Sequence, residues 1–420
     1  MAKRASAAKS RTRQLPDRVD ILIAGAGYVG LATAVAIASA RPSLTVAIVD
    51  AAPEGVWKKD PRASAIAAAA MRMLDQLGCA GEIMPHAQAV TEMIVTDSKA
   101  SDPVRPVFLT FDGEVAPGEP FAHMVPNHVM NGALRKRASQ LNIAIIEGVA
   151  VEAFDTQPAS VGVSLANGSR VDARLLIAAD GVRSRLRDMA GIKTVYFDYE
   201  QSGIVCTVAH ERPHNGRAEE HFLPAGPFAI LPLKGNKSSI VWTERTKDAE
   251  RLVNEDPLIF ETELEMRFGL KLGHIQVVDQ PRAFPLGLRL ARDYVKPRFA
   301  LVGDAAHGIH PIAGQGLNLG FKDAAAIAET IVEADRLGQD IGALDVLERY
   351  ERWRRFDTVQ MGVTTDVLNR MFSNDFSPLR AVRDIGLGLV DRMPHMKRFF
   401  ITQASGLSGP APRLLRGEAI

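Results

Sequence analysis

Apolar positions in this chain come in short, separated runs whose period changes along its length. Val19–Ala24, Leu44–Val49 and Phe299–Val302 are compact apolar stretches, too short for a buried helix and suited to buried strands. Between the first two, Leu31–Ala40 is alanine-rich and reads as a helix. The alternating stretches Val205–Val208 and Ser239–Thr243 suit strands. Helical character returns after Asn318, at Glu261–Phe268, and over Leu347–Phe356, continuing through Met361–Phe372 and Leu379–Asp391. The expected fold class is α/β.

Glycines mark where these elements meet. Gly25-Ala-Gly27-Tyr-Val-Gly30 follows the first strand and opens the first helix, and the second strand ends in Asp50, twenty positions after the last of these glycines. This is the βαβ dinucleotide fingerprint in its proper context. Gly25 would make the tight turn, Gly27 would admit a pyrophosphate, and Gly30 would allow close helix–strand packing. Asp50 would accept from a ribose hydroxyl. A glycine-rich turn in an ordinary α/β domain would leave Asp50 unexplained.

Two further stretches carry similar chemistry. After Phe299–Val302 come Gly303-Asp304-Ala-Ala-His307 and then His310-Pro-Ile-Ala-Gly-Gln-Gly-Leu-Asn318. Gly314 and Gly316 let the backbone pass close to a flat ligand. The N–H groups of Leu317 and Asn318 would sit at a helix N-terminus, where an anionic ring edge could be held. In the middle of the chain, Ala173–Ala179 reads as a strand leading into Asp180-Gly181. Asp180 would point into the crevice at the C-terminal end of the sheet. Ser184 can cap the next helix, and Arg183, Arg185 and Arg187 supply charge for phosphates. Taken alone, Asp-Gly is more often a turn than a site.

In this order the three motifs resemble the FAD-dependent aromatic hydroxylases typified by para-hydroxybenzoate hydroxylase. Several segments look like the ubiquinone-biosynthesis branch of that group: Arg62-Ala-Ser-Ala-Ile-Ala-Ala-Ala-Ala, Phe222-Leu-Pro-Ala-Gly-Pro-Phe-Ala-Ile-Leu-Pro-Leu233, Ser239-Ile-Val-Trp242 and His310–Gly320. The resemblance implies a Rossmann-type FAD-binding domain, a mostly antiparallel substrate sheet and C-terminal helices. It divides the chain into a basic tail (1–17), a discontinuous FAD domain (18–95, 127–195 and 283–345), a substrate sheet (96–126 and 196–282) and a helical region (346–420).

The same resemblance assigns residues. Asp180-Gly181 would serve FAD and the nicotinamide cofactor, and Asp304, after Gly303, would bind the ribityl chain. Arg62 and Asn127 would lie near the flavin. Pro311 would rest against the reactive ring edge, with Gly314, Gly316, Leu317 and Asn318 in the turn beneath. Pro311, Gly314, Leu317 and Asn318 would be catalytic only in positioning the flavin. His128 follows Asn127 where the branch often has arginine, and Asp50 stands where glutamate is commoner.

The implied activity uses non-covalent FAD, NADH or NADPH, and O2 to hydroxylate an aromatic ring. Phe222, Pro227, Phe228, Ile230 and Pro232 would wall the substrate pocket, although a packed core strand reads equally well from residue type alone. No lysine or arginine lies between Phe222 and Leu233. An apolar wall suits a hydrophobic polyprenyl phenol better than a small aromatic acid, which would want an arginine partner. A hydroxylase of a small soluble aromatic substrate and a flavin-dependent reductase are the alternatives, and a non-enzymatic role in a biosynthetic assembly is a third.

Composition agrees with this reading. The 420 residues are 46% hydrophobic, enough to bury a large core, and the net charge of +1 gives no reason to expect nucleic acid. Cys79 and Cys206 are the two cysteines, so no disulfide framework is expected. His307 and His310 lack a third ligand at suitable spacing, so no metal is expected. The basic tail reads as disordered or as a transit peptide. Arg380, Arg383, Arg392, Lys397 and Arg398 beside Phe399, Phe400 and Ile401 could rest on an anionic membrane or pack on the FAD domain. The location expected is cytoplasmic, with peripheral contact at the inner membrane, or mitochondrial if the tail is a targeting signal. Other ubiquinone-biosynthesis proteins and an oligomer are compatible partners.

Overall fold

The computed structural model describes residues 15–97, 107–112, 114–309, 315–372, 405–406 and 411–420. Its first sheet is built from the apolar runs. Arg18–Ala24 lies between Val46–Asp50 and Arg170–Ala178, Ala144–Glu147 flanks Val46–Asp50, and Phe299–Leu301 joins the end of Arg170–Ala178. All four pairings are parallel. Parallel strands covered on both faces need apolar side chains at successive positions, and Ile21, Leu22, Ile23, Leu175, Leu176 and Ile177 are all buried. Val161–Leu165 and Val151–Thr156 extend the sheet antiparallel.

Helix limits differ slightly from the sequence reading. The first helix begins at Tyr28, directly after Gly27. The helix expected after Asn318 begins at Gln315 and runs to Arg336, so Gly316, Leu317 and Asn318 lie within its first turn. Leu344–Phe372 is one continuous helix. The expected helix at 379–391, and residues 1–14 of the basic tail, lie outside the described residues.

The second sheet is mostly antiparallel. Its centre runs in the order Arg282–Ala291, Thr194–His210, Lys237–Arg245, Gly226–Leu233 and Arg217–Leu223, and Glu92–Asp97 joins Arg217–Leu223 in parallel. Side chains alternate between faces along each strand. One face carries Phe228, Ile230 and Trp242 into a core completed by Ala249, Leu252, Phe260 and Leu264 of the helices Thr246–Val253 and Pro257–Phe268. The other presents Ala218, Leu231 and Leu233 to Ala63, Ala65 and Met124. These last residues belong to a small sheet of Ala63–Ala67, Ala122–Pro126 and Gln88–Val90.

A fully buried carboxylate holds the turn after Phe299–Leu301. Asp323, on the Gln315–Arg336 helix, accepts from the Gly303 N–H at 2.8 Å, from Arg354 Nε at 2.7 Å, and lies 2.5 Å from His307 Nε2. Arg354 also donates to Asp357 at 2.9 Å, and Tyr350 donates to the Leu301 carbonyl at 2.8 Å. Burial opposes the charge on Asp323, but His307 and Arg354 outweigh it and hold the carboxyl below its ordinary range. A group with a lowered folded pKa contributes stability above its unfolded pKa and loses it as pH falls through the folded value. Asp323→Asn leaves Arg354 buried with less charge compensation and should cost about 3–5 kcal/mol at neutral pH. Urea unfolding at pH 7 and pH 3 checks this: the difference between variant and parent should shrink at the lower pH, which lies below the ordinary carboxylate value.

Candidate functional site

The three sequence motifs meet at one edge of the parallel sheet. Ala24 is level with Ala178, and Ala178 with Leu301, so the turns that follow these residues emerge side by side. A Cβ on Gly25 would lie 2.3 Å from the Ala179 carbonyl oxygen, and one on Gly30 would lie 2.0 Å from that of Gly25. Both positions are closed to any side chain. A Cβ on Gly27 would meet nothing within 4 Å, so a phosphate can approach the backbone there. Asp50 accepts from Ala26 N–H at 3.1 Å and Ala52 N–H at 3.0 Å, which fixes its carboxylate beside the glycine loop. Arg135, on the helix Asn127–Gln140, reaches the Ala26 carbonyl at 3.4 Å and pairs with Glu147 at 3.1 Å. Nothing in the local sequence marks Arg135, because its neighbours here come from distant elements.

At the second motif, Asp180 Oδ2 accepts from Leu186 N–H at 3.2 Å. Its Oδ1 is buried with no hydrogen-bond partner among the described residues. Ser184 caps the following turn by accepting from Arg187 N–H at 3.0 Å. Arg187, expected to face phosphate, is buried and donates to the carbonyls of Ala305 at 3.0 Å and Val182 at 3.3 Å. It fastens the second motif to the third. Gly303 sits against the first helix, where an added Cβ would come within 3.1 Å of Val29. Asp304 reaches solvent from a deep position; burial raises its carboxyl above the ordinary range, against the pull of His307 and with a push from Asp323.

Arg62 and Asn127 share a partner that the sequence reading passed over. Asp60 accepts two hydrogen bonds from the Arg62 guanidinium, both 2.8 Å, one from Asn127 Nδ2 at 3.1 Å and one from the Tyr28 hydroxyl at 3.0 Å. Burial opposes its charge, but the bonds from Arg62 and Asn127 prevail and hold it well below the ordinary carboxylate range. Ser64 donates to Asn127 Oδ1 at 2.8 Å, and the Arg62 guanidinium lies 5.3 Å from the Phe284 ring centre. The sequence signal was an acid two residues before an arginine already singled out.

Asn318 clamps the first turn of its helix to a strand. Its Oδ1 accepts from Ala67 N–H at 2.9 Å and its Nδ2 donates to the Ala65 carbonyl at 3.0 Å. Leu317 and Gly316 lie beside it in the same turn, whose opening N–H groups carry the positive end of the helix dipole. Pro311 and Gly314 lie outside the described residues.

The expected pocket wall divides between two faces. Phe222 pairs with Pro227 across adjacent strands, on the face that also carries Ala229 and Leu231. Phe228 and Ile230 point the other way, into the core with Trp242, whose ring centre is 6.2 Å from that of Phe228. Pro232 shares the Phe228 side by alternation. Phe222 and Pro227 therefore lie on the face that packs toward the small sheet, and Phe228, Ile230 and Pro232 on the opposite one.

The open backbone at Gly27, the unpartnered Asp180 oxygen, the accessible Asp304 and the helix turn at Gly316–Asn318 fit a dinucleotide carrying an extended ring system. Asp304→Ala should lose FAD without unfolding. The flavin-to-protein absorbance ratio and circular dichroism of the purified variant check both halves; wild-type FAD occupancy would contradict the assignment.

Comparison with known proteins agrees with the geometry. Residues 18–360 match the family model for an FAD binding domain. The chain is 42% identical to ubiquinone hydroxylase UbiL of Rhodospirillum rubrum over 405 residues, covering 95% of this chain and 92% of that one. It is 31% identical to the 3-demethoxyubiquinol 3-hydroxylase of Escherichia coli over 398 residues, covering 92% and 98%. A p-nitrophenol 4-monooxygenase structure from Pseudomonas putida shares the fold with a TM-score of 0.77 at 20% identity, covering 94% of this chain and 99% of that one. The chain belongs to the FAD-binding family, among the FAD-dependent monooxygenases that include the ubiquinone-biosynthesis hydroxylases.

Proposed function

We propose that this protein is an FAD-dependent monooxygenase that uses NADH or NADPH and O2 to hydroxylate the aromatic ring of a polyprenylated phenol in ubiquinone biosynthesis. The observation that carries the reading is the meeting of three dinucleotide turns at one edge of the parallel sheet, beside a small sheet on which the apolar face of the second sheet packs. Flavin, when bound, supplies the electron transfer from the nicotinamide and the activation of O2. The protein supplies position and dryness.

The Gly25–Gly30 loop and Arg135 hold the pyrophosphate, Asp50 a ribose, and Asp304 the ribityl chain. The turn at Gly316–Asn318 stabilises negative charge on the ring edge. Arg62, pinned by Asp60 and lying over Phe284, is placed for the nicotinamide side. The segments 18–95, 127–195 and 283–345 supply the FAD domain and 96–126 with 196–282 the substrate domain, save that Glu92–Asp97 and Arg282–Ala291 run in the substrate sheet.

Phe222, Pro227, Ala229 and Leu231 make a wall that excludes water and accepts a hydrocarbon tail. It offers no guanidinium or ammonium between Phe222 and Leu233 to a small aromatic acid. A lipid-soluble substrate implies peripheral contact with the inner membrane; among the described residues no helix is long and apolar enough to cross one.

Quinone-lipid profiling by mass spectrometry of cells lacking the gene should reveal a prenylphenol one hydroxyl short, with loss of ubiquinone. Purified enzyme should consume O2 and yield a hydroxylated product when given that prenylphenol and NADH or NADPH. Unchanged ubiquinone together with no substrate-dependent oxygen uptake would favour the reductase reading.

A further inference from the structure

One buried acid on the crevice side of the substrate sheet has no part in the scheme above. Glu220 lies on Arg217–Leu223 and is 4% exposed. Strand alternation sets it between Ala218 and Phe222, level with Ala229 on one side and Val95 on the other. This is the face that packs toward Ala65 and Met124, on the strand and small sheet that Asn318 fastens to the flavin-side helix turn. Its neighbour Glu219 faces the other way and is paired with Lys271 at 2.6 Å. Among the described residues no hydrogen bond or ion pair reaches the Glu220 carboxyl, and the side chains that the sheet places around it, Phe222, Pro227, Ala229, Leu231 and Val95, are all uncharged.

A buried carboxyl without a partner is costly to keep. Burial alone pushes Glu220 up to about 7. A folded pKa above the unfolded one means that the ionised form destabilises the fold: stability falls as pH rises from the ordinary glutamate value through about 7. An acid kept in that state, on the face turned toward the small sheet that Asn318 holds, is matched to a donor brought by the ligand.

We propose that Glu220 is a catalytic residue that receives the ring hydroxyl of the phenolic substrate. This rests on the phenol reading given above. The carboxylate accepts the hydroxyl hydrogen bond and takes its proton as the ring is attacked. The O–H bond breaks, its electron pair stays on the phenolic oxygen, and electron density rises at the ortho and para carbons. The attacked carbon then releases its hydrogen as a proton to solvent, the C–H electron pair restores the aromatic ring, and the proton on Glu220 returns to the phenolic oxygen, so the acid is unchanged over the cycle. The same contact selects for a free hydroxyl.

The test uses holoenzyme with 2-prenylphenol and its methyl ether, which lacks the donor, and follows binding by the change in flavin absorbance. At pH 8 the parent enzyme should bind the phenol at least about 10-fold tighter than the ether, as for a hydrogen bond to a charged group. Glu220→Leu should bind the two alike. Glu220→Gln, with flavin content and circular dichroism unchanged, should hydroxylate about 100-fold more slowly and lose the limb of the kcat/KM profile near pH 7. Glu220→Asp should restore part of the rate. Both Glu220→Leu and Glu220→Gln should raise Tm at pH 8 and have less effect at pH 5.

A parent-like phenol preference in Glu220→Leu, or a parent-like rate and pH profile in Glu220→Gln, would overturn the proposal. A parent enzyme that prefers the phenol yet hydroxylates no prenylphenol would count against the proposed function while leaving the Glu220 contact in place.

Discussion

The structure turns on the Asp323 carboxylate. It is buried beneath the third dinucleotide turn and joins that turn, through Gly303 and His307, to Arg354 on the Leu344–Phe372 helix. Such an arrangement is worth having only when complete, since removing one partner strands another charge in a low-dielectric interior. Its effect on the site is positional. The Gly303 N–H is fixed, so Asp304 is presented at the crevice, while the same helix carries Asn318 to the strand Ala63–Ala67. One helix thus ties the third turn to the strand Ala63–Ala67.

Strand alternation supplies the second constraint. One apolar strand, Gly226–Leu233, serves two cores because its side chains point alternately to opposite faces. Phe228 and Ile230 stabilise the second sheet against its helices, and Leu231 packs toward Ala63, Ala65 and Met124. A strand packed on both faces is held rigidly.

Carboxylates are treated differently according to task. Asp60 and Asp323 are surrounded by donors and stay ionised. Asp304 and Glu220 have fewer donors, and burial raises both. One oxygen of Asp180 is likewise buried without a hydrogen-bond partner among the described residues, where a bound ligand could supply a donor.

The local sequence determined the elements of the dinucleotide site. Short apolar runs, glycines at fixed spacing and Asp50 at a strand end follow from backbone sterics and side-chain period, which act over a few residues, and the sheet then placed all three turns together. Only the tertiary structure decided which charged side chains matter. Arg135, Asp323 and Glu220 carry no local mark, because their roles depend on partners brought from elsewhere in the chain or, for Glu220, on the lack of one; Asp60 is marked only by its place two residues before Arg62. The split of Phe222, Pro227, Phe228, Ile230 and Pro232 between two faces was likewise open in the sequence. Residue type says that such a strand is buried, whereas strand register and the layers on either side decide what each face is buried against.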